Sequence, residues 1–193
     1  MERVDLFATP VWIDRDGLPP AQVAAVRAHI LALHETEPGV HRSNAGGGWH
    51  SEPDLFRRIG LADIGEVIAA HARATFRAIA ARAGQDAPPL TGVQLQAWAM
   101  VLPAGGYAEP HDHADAHLSG VLHLDAADDE GGRLVLLDPR GSHLPWAPLD
   151  PTTFHVAPRP GQLIWFPAGL RHWVTPVQRG PRVSIAVNVR YLF

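Results

Sequence analysis

The chain of 193 residues contains no cysteine, which excludes disulfides, thiolate zinc sites, cysteine-ligated iron–sulfur clusters and thiol nucleophiles. Lysine is absent too, all basic residues being arginine, so Schiff-base chemistry, lysine-held pyridoxal phosphate and the lysine-dependent phosphate loop are excluded. No apolar run reaches the ~18 residues a membrane helix needs, and no membrane partner is expected. The opening Met1-Glu2-Arg3-Val4-Asp5 lacks the basic end and apolar block of a signal peptide, so a cytoplasmic location is expected. Positive charge is not in excess: the formal net charge is −4, which argues against a nucleic-acid partner.

Apolar residues make up 46% of the chain and charged residues 19%, a balance that suits a folded domain. The length suits one such domain, 1–193. Histidine is abundant at twelve residues, and that abundance directs attention to a metal.

Periodicity divides the chain near residue 90. In about 1–89 the pattern is helical. After Pro19-Pro20, residues Val23, Val26, Ile30 and Leu33 recur at helical spacing, and Pro38-Gly39 closes the segment. Ser51 and Asp54 have the form of a capping box ahead of Leu55, Ile59, Ile64, Val67, Ile68, Phe76 and Ile79. These predict a long helix broken near Gly60 and ended at Gly84. In about 90–193 the period is two: Val93 to Val101, Leu118 to Leu124, Arg133 to Asp138, Phe154 to Ala157 and Gln162 to Phe166 alternate between Pro/Gly turns. In the last strand Val183, Ile185, Val187 and Val189 point one way, and Arg182, Ser184, Ala186 and Asn188 the other. The expected fold is mainly β with amino-terminal helices over one outer face: a jelly roll, cupin-like, whose polar inner face lines a cavity.

The densest chemistry lies in Glu109-Pro110-His111-Asp112-His113-Ala114-Asp115-Ala116-His117. In an extended segment, residues two apart share a face, so His111 with His113, or His113 with Asp115, makes a metal clip. His172 is the candidate for a third ligand, from a neighbouring strand of a rolled sheet. Imidazole suits iron, zinc, copper or nickel, so ligand type alone does not choose the metal. His117 and His123 are read as satisfied or supporting polar positions. His29, His34, His41 and His71 are read as ordinary helix-region histidines, and His143 and His155 carry no signal. Arg182 and Ser184 share the inner face of the last strand, where an arginine fork beside a hydroxyl matches a carboxylate. A structural ion pair is the plainer use of Arg182 taken alone. Trp49, His50, Trp98 and Asn188 are candidates for lining a pocket or for packing. The segment Gly141 to Pro151 is a candidate lid.

Read together, Leu6-Phe7-Ala8-Thr9-Pro10-Val11-Trp12, Gly48-Trp49-His50-Ser51, Trp98-Ala99, Pro110-His111-Asp112-His113, Leu118-Ser119-Gly120-Val121, Asp138-Pro139-Arg140, Gly161 to Pro167, His172-Trp173-Val174 and Arg182 to Asn188 resemble the iron(II)/2-oxoglutarate-dependent oxygenases. More narrowly, they resemble a family of short bacterial and phage members. The resemblance implies a double-stranded β-helix, Fe(II) held by His111, His113 and His172, and 2-oxoglutarate bound by Arg182 and Ser184. It implies oxidation of a C–H bond, most simply hydroxylation, in a small-molecule or peptidyl substrate, using O2 and releasing succinate and CO2. Desaturation and ring formation are also open to such a site, and a homodimer is allowed. His113 stands where the superfamily's usual His-X-Asp/Glu motif has a carboxylate, and Asp115 with His113 is the alternative that leaves His111 outside. Two other classes stay open: a cupin-like metalloenzyme without 2-oxoglutarate, and a non-catalytic jelly-roll module with a structural metal.

Overall fold

Eleven-residue strands with one face fully apolar need cover on that face, and the amino-terminal helices provide it. The computed structural model describes residues 8–125, 131–140 and 152–193. The elements run β1 (Trp12–Asp14), α1 (Pro20–Thr36), β2 (Asn44–Ala45), β3 (Trp49–His50), a 3-10 turn (Leu55–Arg57), α2 (Ala62–Arg82), β4 (Gly92–Leu102) and β5 (Tyr107–His111). Then follow β6 (Leu118–His123), β7 (Leu134–Leu137), β8 (Thr153–Val156), β9 (Leu163–Pro167), β10 (His172–Val174) and β11 (Arg182–Leu192). A six-stranded sheet of order β1-β9-β6-β11-β4-β3 lies against a five-stranded sheet of order β2-β5-β10-β7-β8. All of these strand pairings are antiparallel. This is the double-stranded β-helix expected from the sequence. The segment before residue 90 adds β1, β2 and β3 to the sheets besides its helices.

Helix α1 starts with proline at its first position, where no N–H is missed. It buries Val23, Val26 and Ile30, and ends with Glu37 N–H on Leu33 O just before Pro38. Helix α2 buries Ile64, Ile68 and Ala72. Both stripes meet Ala97, Ala99, Val101, Val183, Ile185, Val187 and Val189 on the outer face of the six-stranded sheet in one core cluster. Tyr191 ties the two layers by donating its hydroxyl proton to Ala72 O at 2.9 Å.

Two sequence expectations change here. Ser51 is not a helix cap: its hydroxyl donates to Glu52 O and accepts from Ala99 N–H, which fastens the chain to β4. Ile59 is 96% exposed and lies before α2, not on it. The helix begins only after Gly60, whose φ of +84° breaks the segment as predicted. Leu6, Phe7, His143 and the Gly141 to Pro151 segment lie outside the described residues.

Among the described residues, no helix is long and apolar enough to cross a membrane.

Candidate functional site

The two sheets enclose two apolar clusters. One contains Val121, Leu136, Ile164 and Phe166; the other contains Trp98, Met100, Leu102 and Val174. The inner face also carries buried polar residues. His123 sits opposite Ser184 in the β6–β11 register, with Arg182 one pleat further along β11, and His172 comes from the facing sheet. All four are at most 5% exposed.

His172 opens β10 and faces His111, the last residue of β5, in register. His113 lies just beyond the strand, held by its N–H on Ala168 O at 2.9 Å. One ligand nitrogen from each of His111, His113 and His172 lies within 4.8 Å of the others. The ring centroids are 5.0 Å apart for His111–His113, 4.4 Å for His111–His172 and 5.2 Å for His113–His172. The Nδ1–H groups of His111 and His172 donate to Glu109 O at 2.6 Å and Leu170 O at 2.8 Å. Since a carbonyl only accepts, those bonds fix the tautomer and leave each Nε2 lone pair free. Phe166 stands edge-on to His172 and Trp98 edge-on to His113.

Burial first, and then the neighbouring His111, push His113 down to about 4 and His172 down to about 3. Both are neutral imidazoles near pH 7. Three clustered imidazoles disfavour protons on one another, while their lone pairs can share one cation. The donor set therefore fits a metal. Asp115 is exposed and outside this group; its carbonyl accepts from Arg190 Nε.

Arg182 is 1% exposed and forms no ion pair among the described residues. Its Nη1 donates to Ser184 Oγ at 2.8 Å and its Nη2 to His123 Nδ1 at 3.2 Å, while Nε–H has no partner. Burial pulls its pKa down to about 10, which leaves it charged at pH 7. No described residue supplies the structural ion pair considered from sequence. A buried cation without a counter-charge is costly, and an anion is the natural partner.

Along β11 the inward residues run Arg182, Ser184, Ala186, Asn188. Ala186 is paired with Trp98, whose ring centroid is 5.4 Å from that of His113. Asn188 is paired with Gln96, and both line a cavity of about 450 Å³ that also takes in Gln94, Arg57, Asp115 and Arg190. The guanidinium and the cavity thus lie on opposite sides of the level of Trp98 and His113. His50 is buried, stacks on Trp98 at 5.4 Å and donates from Nδ1 to Ser51 O. Trp49 is instead a packing anchor, its Nε1–H on Glu37 O at 3.0 Å. His117 is satisfied by Tyr191 N–H. The link from His123 to Arg182 was missed in the sequence, although Ser119, Val121 and His123 alternate onto the face that Arg182 shares.

Residues 96–188 match the model of a family described as "Putative 2OG-Fe(II) oxygenase", where 2OG is 2-oxoglutarate. No curated protein matches the chain. Among solved structures, a Pseudomonas putida prolyl-4-hydroxylase is similar, with a TM-score of 0.68 and 18% identity over 94% of this chain and 92% of that one. The non-heme alpha ketoglutarate dependent epimerase SnoN from nogalamycin biosynthesis has a TM-score of 0.64 and 18% identity, covering 94% and 78%. HygX from Streptomyces hygroscopicus, solved with nickel and 2-oxoglutarate bound, has a TM-score of 0.60 and 12% identity, covering 94% and 82%. At these identities the likeness establishes the fold. The matched residues 96–188 include all three histidines and Arg182.

Proposed function

We propose that the protein, as a single domain spanning 1–193, is an iron(II)- and 2-oxoglutarate-dependent oxygenase that hydroxylates a C–H bond of a small-molecule or peptidyl substrate. One observation carries this reading: a buried guanidinium with no counter-charge among the described residues lies on the inner face of one sheet, and three convergent imidazoles are carried on or just beyond the strands of the facing sheet. His111, His113 and His172 would hold Fe(II), and Arg182 with Ser184 would bind the far carboxylate of 2-oxoglutarate. When bound, the iron and co-substrate supply an oxidant from O2, one oxygen atom passing to the substrate and the other to succinate as CO2 leaves.

The chain's own part is geometry. The carbonyls of Glu109 and Leu170 hold two of the rings in one tautomer. Phe166 covers His172 and Trp98 covers His113. Arg182 sets the distance at which a five-carbon dicarboxylate is anchored. The cavity beyond Trp98 takes the substrate. Its floor of Gln94, Gln96 and Asn188 suits a polar molecule with both donors and acceptors. Hydroxylation is the activity named for the similar prolyl-4-hydroxylase and epimerisation that named for SnoN, so the fold accommodates more than one outcome.

The test is release of labelled CO2 from carboxyl-labelled 2-oxoglutarate without added substrate. Release that needs iron(II) and oxygen, and is lost in Arg182→Met, is expected. Release no greater than that of free iron would overturn the reading.

The three-histidine set, lacking the usual carboxylate, favours one second reading: a cupin-like metalloenzyme without a co-substrate. That enzyme would keep its activity in Arg182→Met.

A further inference from the structure

Among the described residues, four buried side-chain polar atoms lack a hydrogen-bond partner: His123 Nε2, Arg182 Nε, Gln162 Oε1 and Trp165 Nε1. The first two belong to residues bonded to one another. A guanidinium has only donors, so Arg182 Nη2 must donate to His123 Nδ1, and the imidazole proton resides on Nε2. His123 is 0% exposed. It therefore presents a neutral N–H, cut off from water, while its bonded neighbour Arg182 has an equally unpartnered Nε–H. Two buried donors without acceptors, on residues bonded to each other, carry a standing desolvation cost. A carboxylate, with two oxygens and about four lone-pair sites, accepts from both while also taking the Ser184 side.

We infer that His123 is a binding residue for the co-substrate, its Nε2–H donating to the same carboxylate that Arg182 holds. The anion pocket is then Arg182, Ser184 and His123, with one formal charge and two neutral groups. The inference rests on the proposed function, which puts the far carboxylate of 2-oxoglutarate at Arg182. Such a pocket selects 2-oxo acids that carry a second carboxylate. Pyruvate, which lacks that group, gains nothing from His123.

The competing use of His123 is purely structural, with Nε2–H turned to the orphan Gln162 Oε1; Gln162 O already accepts the His123 backbone N–H at 2.9 Å. Anaerobic calorimetry on iron(II)-loaded protein separates the two. Wild type, His123→Asn and His123→Gln are each titrated with 2-oxoglutarate and with pyruvate. Asparagine offers an oxygen near the Nδ1 position to keep Arg182 placed, but its side chain stops short of Nε2. Glutamine reaches with an N–H.

His123→Asn should weaken 2-oxoglutarate about tenfold or more, the loss of one hydrogen bond to a charged acceptor. Pyruvate and iron(II) affinity should stay unchanged, and His123→Gln should recover part of the loss. Equal 2-oxoglutarate affinity in wild type and His123→Asn overturns the inference. So does an equal loss for both 2-oxo acids, since it places the effect at the metal. If wild type itself binds no 2-oxoglutarate, the proposed function fails, a different result from either.

Discussion

His111 and His172 face each other in register across β5 and β10, their ring centroids 4.4 Å apart, although a long stretch of sequence separates them. Each spends its Nδ1–H on a backbone carbonyl two residues earlier, so the pair is set by the strands and not by side-chain chance. The lone pairs left over converge with that of His113.

Removing one of these ligands should therefore disable metal binding without unfolding the protein. His111→Ala, at a partly exposed strand end, should lower iron(II) affinity by at least about 100-fold, since even loss of a supporting partner costs 10–100-fold. Circular dichroism should remain that of the wild type. Metal analysis after desalting checks this, and retention of stoichiometric iron would exclude His111 as a ligand.

The buried histidines also set an acid limit on the metal-free protein. His113 and His172 have folded pKa values near 4 and 3, below the ordinary ~6.5 that applies once the chain unfolds. Between those values the unfolded chain binds more protons than the folded one, so stability rises with pH and is lost as pH falls. The loss begins below about 6.5 and continues to about 4 for His113 and about 3 for His172, at up to ~1.4 kcal/mol per pH unit for each. Urea unfolding at pH 7.5 and pH 5 should show the difference. Equal stability at both would contradict neutral burial.

Arg182→Met separates binding from stability. Replacing a buried charge by an apolar side chain of similar length is often neutral or stabilising, although His123 Nδ1 and Ser184 Oγ lose their donor. The net change should stay within about 2 kcal/mol. Affinity for 2-oxoglutarate should meanwhile fall by about 100-fold or more. A large loss of stability with unchanged affinity would make Arg182 a structural residue.

Gly132, buried just before β7, packs against Arg182. Its φ is +65°, and a Cβ there would lie 2.6 Å from Arg182 Cδ. Gly132→Ala should cost about 1–3 kcal/mol in strain and weaken 2-oxoglutarate binding by displacing the guanidinium. Iron(II) affinity should not move. Unchanged 2-oxoglutarate affinity would show that the arginine has room to shift.

Much of this was legible in the sequence wherever periodicity was long. The alternation in Arg182 to Val189 correctly assigned four valine and isoleucine side chains to the helix-covered face and Arg182 and Ser184 to the interior. Strands β5 and β10 were less visible as strands because they are short, and β5 is interrupted by Pro110. Yet they carry His111 and His172, which were singled out by their chemistry instead. The capping-box reading of Ser51 failed because a hydroxyl that can cap a helix can equally bond a strand, and β4 lay too far along the chain to be weighed. The role of His123 was hidden for a related reason. A histidine on an apolar strand looks ordinary until the strand beside it is known, and only the β6–β11 register puts it opposite Ser184, one pleat from Arg182.

The most direct test of the central claim is anaerobic titration of the iron(II)-loaded protein with 2-oxoglutarate, followed by visible absorption. Chelation by the 2-oxo acid at an iron held by three imidazoles predicts a saturable metal-to-ligand charge-transfer band, lost in His111→Ala and reached only at far higher concentration in Arg182→Met. Bound iron with no band at any 2-oxoglutarate concentration would contradict the account and leave the histidines to a metalloenzyme of another kind.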